Sequence, residues 1–282
     1  MKTPRNAPPS AAGTDDEAAG ASRAQRGIQS VEVGARLLRV LADARVPLAP
    51  TDLAAAGDIA SSQAHAYLVS LTRLGLIKRD ALSGRYEAGP LALRLGLLHL
   101  AQQPALREAV PHAAALAQAH NCSVALCIAG PQGPTIVRYE HASLPLHVNL
   151  HVGTVMSLPA TSTGRVFGAF LDDATLRAMW ANQTAQPVWR GTAAAEDIPA
   201  PDAAFSATLD TIRARGFEIG IDAPSPGVSS VCVPVFDAQR TLRLTLTAIG
   251  ASGALDVRVD GKLVHALRDA AQAIAQAAFQ ST

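Results

Sequence analysis

The sequence predicts an α+β fold in two parts, a small helical domain closed by a hairpin and a larger sheet with helices segregated around it. Two patterns carry this expectation. Up to Leu74 the leucines recur at helical intervals and are followed by two short extended runs joined at Ser83-Gly84. Beyond Asn121 short strands alternate with helices, and no internal repeat is present.

Order is expected to begin near Gln29. Residues 1–28 are polar, mix Pro, Ala and Gly, and lack the apolar segment of a secretory signal, so they read as a disordered tail. Ser30 is placed to cap a first helix carrying Val33, Leu37, Leu38 and Leu41, which the run RVPLAP breaks. Thr51 to Ala56 reads as a short helix stopped by Gly57. After a four-residue turn, Ser61 is expected to cap a helix with Ala64, Leu68, Leu71 and Leu74 on its buried face, and Gly75 falls where a left-handed residue is wanted. The hairpin LIKRD-ALSG-RYEAG completes a winged helix-turn-helix over residues 29–89.

Pro90 opens a helix, LALRLGLLHLAQQ, whose leucines wrap most of the way round; residues 90–103 are read as a linker helix that needs cover from neighbouring domains or a second subunit. Pro104 ends it, and a further helix, ALREAVPHAAALAQAH, is closed by Asn121. In residues 104–282, CSVALCIAG, TIVRYE, PLHVNLHVG, GFEIGID, SSVCVPVFD and LRLTLTAIG read as strands. TSTGRVFGAFL, PDAAFSATLDTIRARG and VDGKLVHALRDAAQAIAQAAFQ read as helices.

Charge is uneven under a neutral total. Between Arg23 and Arg94 there are ten Lys/Arg against six acids, whereas residues 95–282 hold twelve against fourteen. That tilt suits a polyanion partner for the first third. Cys122, Cys127 and Cys232 are in no metal-ligand spacing and read as reduced, buried thiols, which points to the cytoplasm. No apolar run reaches the ~18 residues of a membrane span.

The helix from Ser61 leaves Ser61, Ser62, Gln63, His65 and Ala66 at its open end. In a helix-turn-helix this end meets base edges. Gln can bond adenine, Ser several bases, and an alanine methyl can meet thymine. A capped helix with a solvated polar end is the alternative. Lys78, Arg79 and Arg85 sit on the hairpin, where cations suit phosphates or the minor groove, or simply a charged tip. Thr51 from the short helix, Ser61, Ser62, Gln63 and His65, and the three hairpin cations form the candidate DNA-binding set.

The runs QSVEVGARLLRVLAD, APTDLAAAGDIASSQAHAYLVSLTRLGLIKRD and GRYEAGPLALRLG resemble the N-terminal domain of the IclR family of bacterial transcriptional regulators. SLPATSTGRVFGAFL, RARGFEIGIDAPSPGVSSVCVPVFD and LTLTAIG resemble that family's effector-binding domain, in the same order, so the likeness covers residues 29 to about 280. It implies a winged helix, a linker helix, a GAF-like α/β domain for a small organic effector, and dimers or tetramers on double-stranded operator DNA. Two departures stand out. Family members often carry basic residues where this chain has Ser61 and Ala66, and Arg-Cys and an acid pair where it has Ser229-Ser230 and only Asp222.

An effector site follows from chemistry as well. Thr161, Ser162, Thr163 and Gly164 lead into a helix, where hydroxyls and unbonded N–H groups favour a carboxylate, although a plain N-cap uses the same residues. Asp222, Ser229 and Ser230 lie beside the pocket by resemblance. Thr245 and Thr247 alternate with leucines and face the other side of their strand, toward a pocket or solvent. His147, Asn149 and His151 would share one strand face, but rings about 13 Å apart, at ~3.3 Å per residue, do not make a metal site. No cofactor is implied. The chain has no G-x-S-x-G elbow, P-loop or HExxH, so no enzyme is expected. The expected function is a ligand-responsive transcriptional regulator sensing an aromatic or short-chain carboxylic acid. The alternative is a metabolite sensor whose winged helix binds protein instead.

Overall fold

The computed structural model describes residues 27–44, 46–143, 148–185 and 201–279. The tail expected over 1–28 falls almost entirely outside them. The chain divides into two compact units, Met1–Leu97 and Leu98–Thr282.

The first unit contains α1 (Gln29–Ala44), α2 (Pro50–Ala56), α3 (Ser61–Arg73), β1 (Ile77–Arg79) and β2 (Tyr86–Ala88). Leu37, Leu53, Leu68, Leu71, Ile77 and Tyr86 close its core. Burying six such side chains is the main force holding three short helices together, at roughly 1.5–3 kcal/mol each before entropy is counted. β1 and β2 pair antiparallel over three residue pairs, Lys78 opposite Glu87, and Leu48 bridges β2 by exchanging backbone hydrogen bonds with Tyr86.

Three local expectations are corrected. Ser30 and Ser61 lie inside their helices rather than at caps. Ala60 takes the N-cap of α3 with extended backbone and no capping side chain, because Ala64 N already bonds Ala60 O. Leu74 is 62% exposed: the buried stripe of Ala64, Leu68 and Leu71 next reaches Gly75, so Leu74, the C-cap, turns outward. In the turn after α2, Gly57 stays right-handed against Leu37 and Leu53, and Asp58 takes the left-handed step. Gly75 is left-handed, as its position after the helix predicts.

α4 (Pro90–Ala101) spans the division between units. In the second unit α5 (Pro104–His120) precedes β3 (Ser123–Gly130) and β4 (Gly133–Glu140). Then come α6 (Ser162–Phe170), α7 (Asp173–Ala185), α8 (Ala203–Arg215), β5 (Glu218–Gly220), β6 (Val228–Phe236), β7 (Leu242–Ala251) and α9 (Lys262–Phe279). The sheet is antiparallel throughout, in the order β4-β3-β7-β6-β5. Leu244, Leu246 and Ala248 of β7 pack with α5 and α9. The intervening residues point to the opposite face, where Phe167 of α6 and Met179 and Trp180 of α7 pack.

The strand expected at PLHVNLHVG is not formed over 148–151, and residues 144–147, including His147, lie outside the described residues. The described segment meets the β4 edge only near its end, through Gly153, Thr154 and Met156, with Thr135 bridging Val155. Asn149 and His151 are not on a strand there, so the shared strand face lapses. The sequence reading also passes over α7. Its signal is Asp172, whose carboxylate accepts from Thr175 N and Oγ1, followed by Leu176, Met179 and Trp180 at helical spacing.

Candidate nucleic-acid interface and effector pocket

The open end of α3 is polar and unobstructed. Ser61, Ser62, Gln63, His65 and Ala66 are all exposed, while Ala64 and Leu68 anchor the helix below. With Ala60 as N-cap, no side chain covers the first-turn amides, and helix geometry leaves them without acceptors. Thr51 is exposed in the first turn of α2, behind Pro50.

The wing holds its cations partly in its own service. Lys78 Nζ sits 2.9 Å from Glu87. Arg79 Nε donates to Gly84 O, and Arg85 Nη1 donates to Pro47 O. These bonds fix the hairpin's shape. Each guanidinium keeps further donors exposed, since it carries five N–H groups. Asp80, accepting from the amides of Leu82 and Ser83, is held below the usual carboxylate range by those bonds and closes the turn. Leu82 at the tip is 99% exposed.

In the second unit the structure gathers five of the predicted effector residues, Thr161, Ser162, Thr163, Ser230 and Thr247, around one small cavity. Thr161 is the N-cap of α6; its oxygen accepts from Gly164 N and its hydroxyl donates to Ser157 O. Ser162 and Ser230 hydroxyls meet at 2.8 Å, as do those of Thr163 and Thr247. Both pairs join the first turn of α6 to the sheet beneath it. The remaining wall is apolar, with Leu150, Met156, Ala223, Pro224, Val228 and Ile249. Only about 20 Å³ of the interior is open, room for one water-sized molecule.

Other predicted residues stand elsewhere. Gly164 is not in the cavity wall; it stands so close to Ser157 and Leu158 that a Cβ would overlap their backbone. Asp222 is left-handed and accepts from Gly227 N, so it shapes the 222–227 loop. Ser229 points to the other face and meets Ser252 Oγ at 2.8 Å. Thr245 is buried opposite Cys127, and its hydroxyl has no hydrogen-bond partner among the described residues, so the solvated alternative for this strand face does not hold.

Two holding residues escape sequence reading. Gln183 of α7 is fully buried, donating to Met156 O at 2.9 Å and accepting from Leu158 N at 2.9 Å. It clamps the segment leading to α6 from both of its amide atoms. Arg165 donates to Glu218 at 2.8 Å and to Pro159 O at 3.1 Å, and Glu218 also pairs with Arg215. Burial lowers the Arg165 pKa; its buried carboxylate partner compensates part of that cost. Burial pushes the Cys122 and Cys232 thiols up to about 11 and Cys127 well up, so none supplies a thiolate nucleophile at neutral pH. Among the described residues no cluster of His, Cys, Asp or Glu could hold a metal ion, and no helix is long and apolar enough to cross a membrane.

A winged helix-turn-helix with an open polar recognition helix, joined to a sheet domain with a hydroxyl-lined pocket, defines a ligand-binding transcriptional regulator. Two family models match, "Bacterial transcriptional regulator IclR C-terminal" over residues 99–276 and "IclR helix-turn-helix domain" over residues 30–81. The chain belongs to the IclR family. It is 30% identical to the glycerol operon regulatory protein of Streptomyces coelicolor over 256 residues, 89% of this chain and 96% of that one. The crystal structure of Pseudomonas aeruginosa HmgR is 30% identical, with a TM-score of 0.55 over 90% of this chain and all of that one. An IclR homologue from Microbacterium hydrocarbonoxydans, solved with 4-hydroxybenzoate, shares the fold at 18% identity, with a TM-score of 0.65 over 88% of this chain and 98% of that one. Family membership favours the DNA-binding reading of the winged helix over the protein-interaction alternative, and its relatives are regulators rather than enzymes.

Proposed function

We propose that α3 reads an operator through Gln63 and His65, and that a small carboxylic acid entering between α6 and the sheet controls that binding. The observation that carries the first half is the open, uncapped and almost uncharged end of α3. Its bare amides can donate to a phosphate oxygen in place of the basic residues absent at Ser61 and Ala66. Arg79 and Arg85 supply contacts that do not depend on sequence.

The hydroxyl pairs and the α6 amides suit a carboxylate, and the apolar wall suits a compact carbon body. The 4-hydroxybenzoate in the Microbacterium homologue is an acid of this class. Because the cavity is nearly closed, the ligand must select a state in which the segment clamped by Gln183, or the 222–227 loop, stands away from α6. That is a population shift. The leucine-rich α4 has no buried residue, with Leu93, Leu95, Leu97 and Leu98 exposed, which suits pairing with a second copy in a cytoplasmic dimer or tetramer.

The test is fluorescence anisotropy with DNA from beside the protein's own gene and with scrambled DNA. Wild type should prefer the former. Gln63→Ala should lose about 1–3 kcal/mol of that preference. Equal weakening on both DNAs would show that Gln63 does not read bases.

A further inference from the structure

The nearly closed hydroxyl pocket is not the roomiest recess of the second unit. A groove of about 610 Å³ opens between the end of α8, the far end of β6 and α9, within the size range of small-ligand sites. Its lining carries four arginines and a histidine. Arg213 and Arg215 come from α8, Arg240 from the β6–β7 turn, and His265 and Arg268 from successive turns of α9. β5 pairs only with residues 230–232 of β6, so the groove occupies the space that a longer edge strand would fill.

The charges are not all matched internally. Of the two carboxylates at the groove, Asp237 is taken up by the amides of Gln239 and Thr241 and by Arg243, leaving Asp269. Arg213 rests on Asp210 and Arg215 on Glu218. Neither Arg240 nor Arg268 is ion-paired among the described residues. Arg240 also stands at φ +64°, where glycine or asparagine sits at lower cost, and its guanidinium is stacked on Phe236 at 4.6 Å. A strained residue that holds a cation over a groove is the kind of outlier that points to a ligand.

We propose that this groove binds a small organic oxyanion with two or more negative charges, a phosphate ester or a di- or tricarboxylate, as a second ligand. Two unpaired guanidinium groups on facing elements match two anionic groups, whereas the hydroxyl pocket has no cation in its wall. The two recesses are mechanically joined. Arg215 shares the buried carboxylate of Glu218 with Arg165, which holds the Pro159 carbonyl before α6. An anion that draws on Arg215 therefore loads the threshold of the pocket.

Calorimetric titration of the full chain at constant ionic strength tests this without DNA or a pocket ligand, so its failure is separable from failure of the regulator reading. The probes are citrate, inorganic pyrophosphate and acetate. Saturable binding of citrate or pyrophosphate, but not acetate, is expected. Arg240→Gln and Arg268→Gln should each weaken it by about tenfold or more, the worth of a charge-assisted hydrogen bond. Arg138→Gln, on β4 at the opposite edge of the sheet, should leave it unchanged. Arg240→Gly, which suits the left-handed turn, repeats the test if Arg240→Gln folds poorly. Three results overturn the proposal: no saturable polyanion binding, equal weakening in Arg138→Gln, or groove variants that dissociate an oligomer in sedimentation while anion binding persists. The last would make the groove an interface between copies.

Discussion

Gly164 decides how close α6 can come to the segment before it. A Cβ there would overlap Ser157 O and the Leu158 backbone, while one on Gly168 would meet only the ends of Leu209 and Phe205. Gly164→Ala is therefore expected to cost about 1–3 kcal/mol in urea denaturation and Gly168→Ala less, since leucine side chains can give where backbone cannot. Equal costs would mean the approach at Ser157 is not tight. At this scale the sequence is readable where chemistry is local. The hydroxyls of 161–163 stand out through the anion preference of a helix start, whereas Leu150, Met156, Pro224 and Ile249, which wall the same cavity, carry no such signal. Ser229 and Ser230 cannot be told apart, because strand alternation sends one to each face and the residues alone do not say which face is the pocket. Gln183 gives no sign of its role: a polar residue in an exposed-looking run becomes a clamp only once α7 is packed.

The helices of the first unit are legible as elements because leucine spacing and punctuation by Pro and Gly agree. Errors fall where one of the two is missing. Ala60 has no side chain that caps, so Ser61 reads as the cap. PLHVNLHVG alternates like a strand, although among the described residues only those from Gly153 onward meet the β4 edge. The wing is the element whose role salt can isolate. Replacing Arg79 and Arg85 together with Gln should weaken binding to operator and scrambled DNA alike. It should also reduce the slope of log affinity against log salt by about one for each phosphate no longer neutralised. An unchanged slope would leave both arginines as braces of the hairpin, bonded to Gly84 and Pro47 and to nothing on the DNA.

For the whole molecule, the sequence conveys two parts and a family, since ordered motifs survive where pairwise identity is low. It does not convey how nearly closed the pocket is, which depends on packing between segments far apart in the chain. The proposed pairing of two copies places their contact on α4. Leu95→Glu with Leu98→Glu should lower the sedimentation coefficient and weaken operator binding, because like charges on an apolar face cannot be brought together dry. An intact oligomer would place the interface elsewhere.

A ligand-responsive regulator must couple ligand and operator through one chain. The measurement is a pair of affinities, both taken with the carboxylic acid that most raises the melting temperature. One is its Kd with and without saturating operator; the other is the operator's Kd with and without the acid. The expected result is the same factor in both directions, about 5–150-fold, in the same sense, as linkage requires. A factor of one in both would contradict a ligand-responsive regulator.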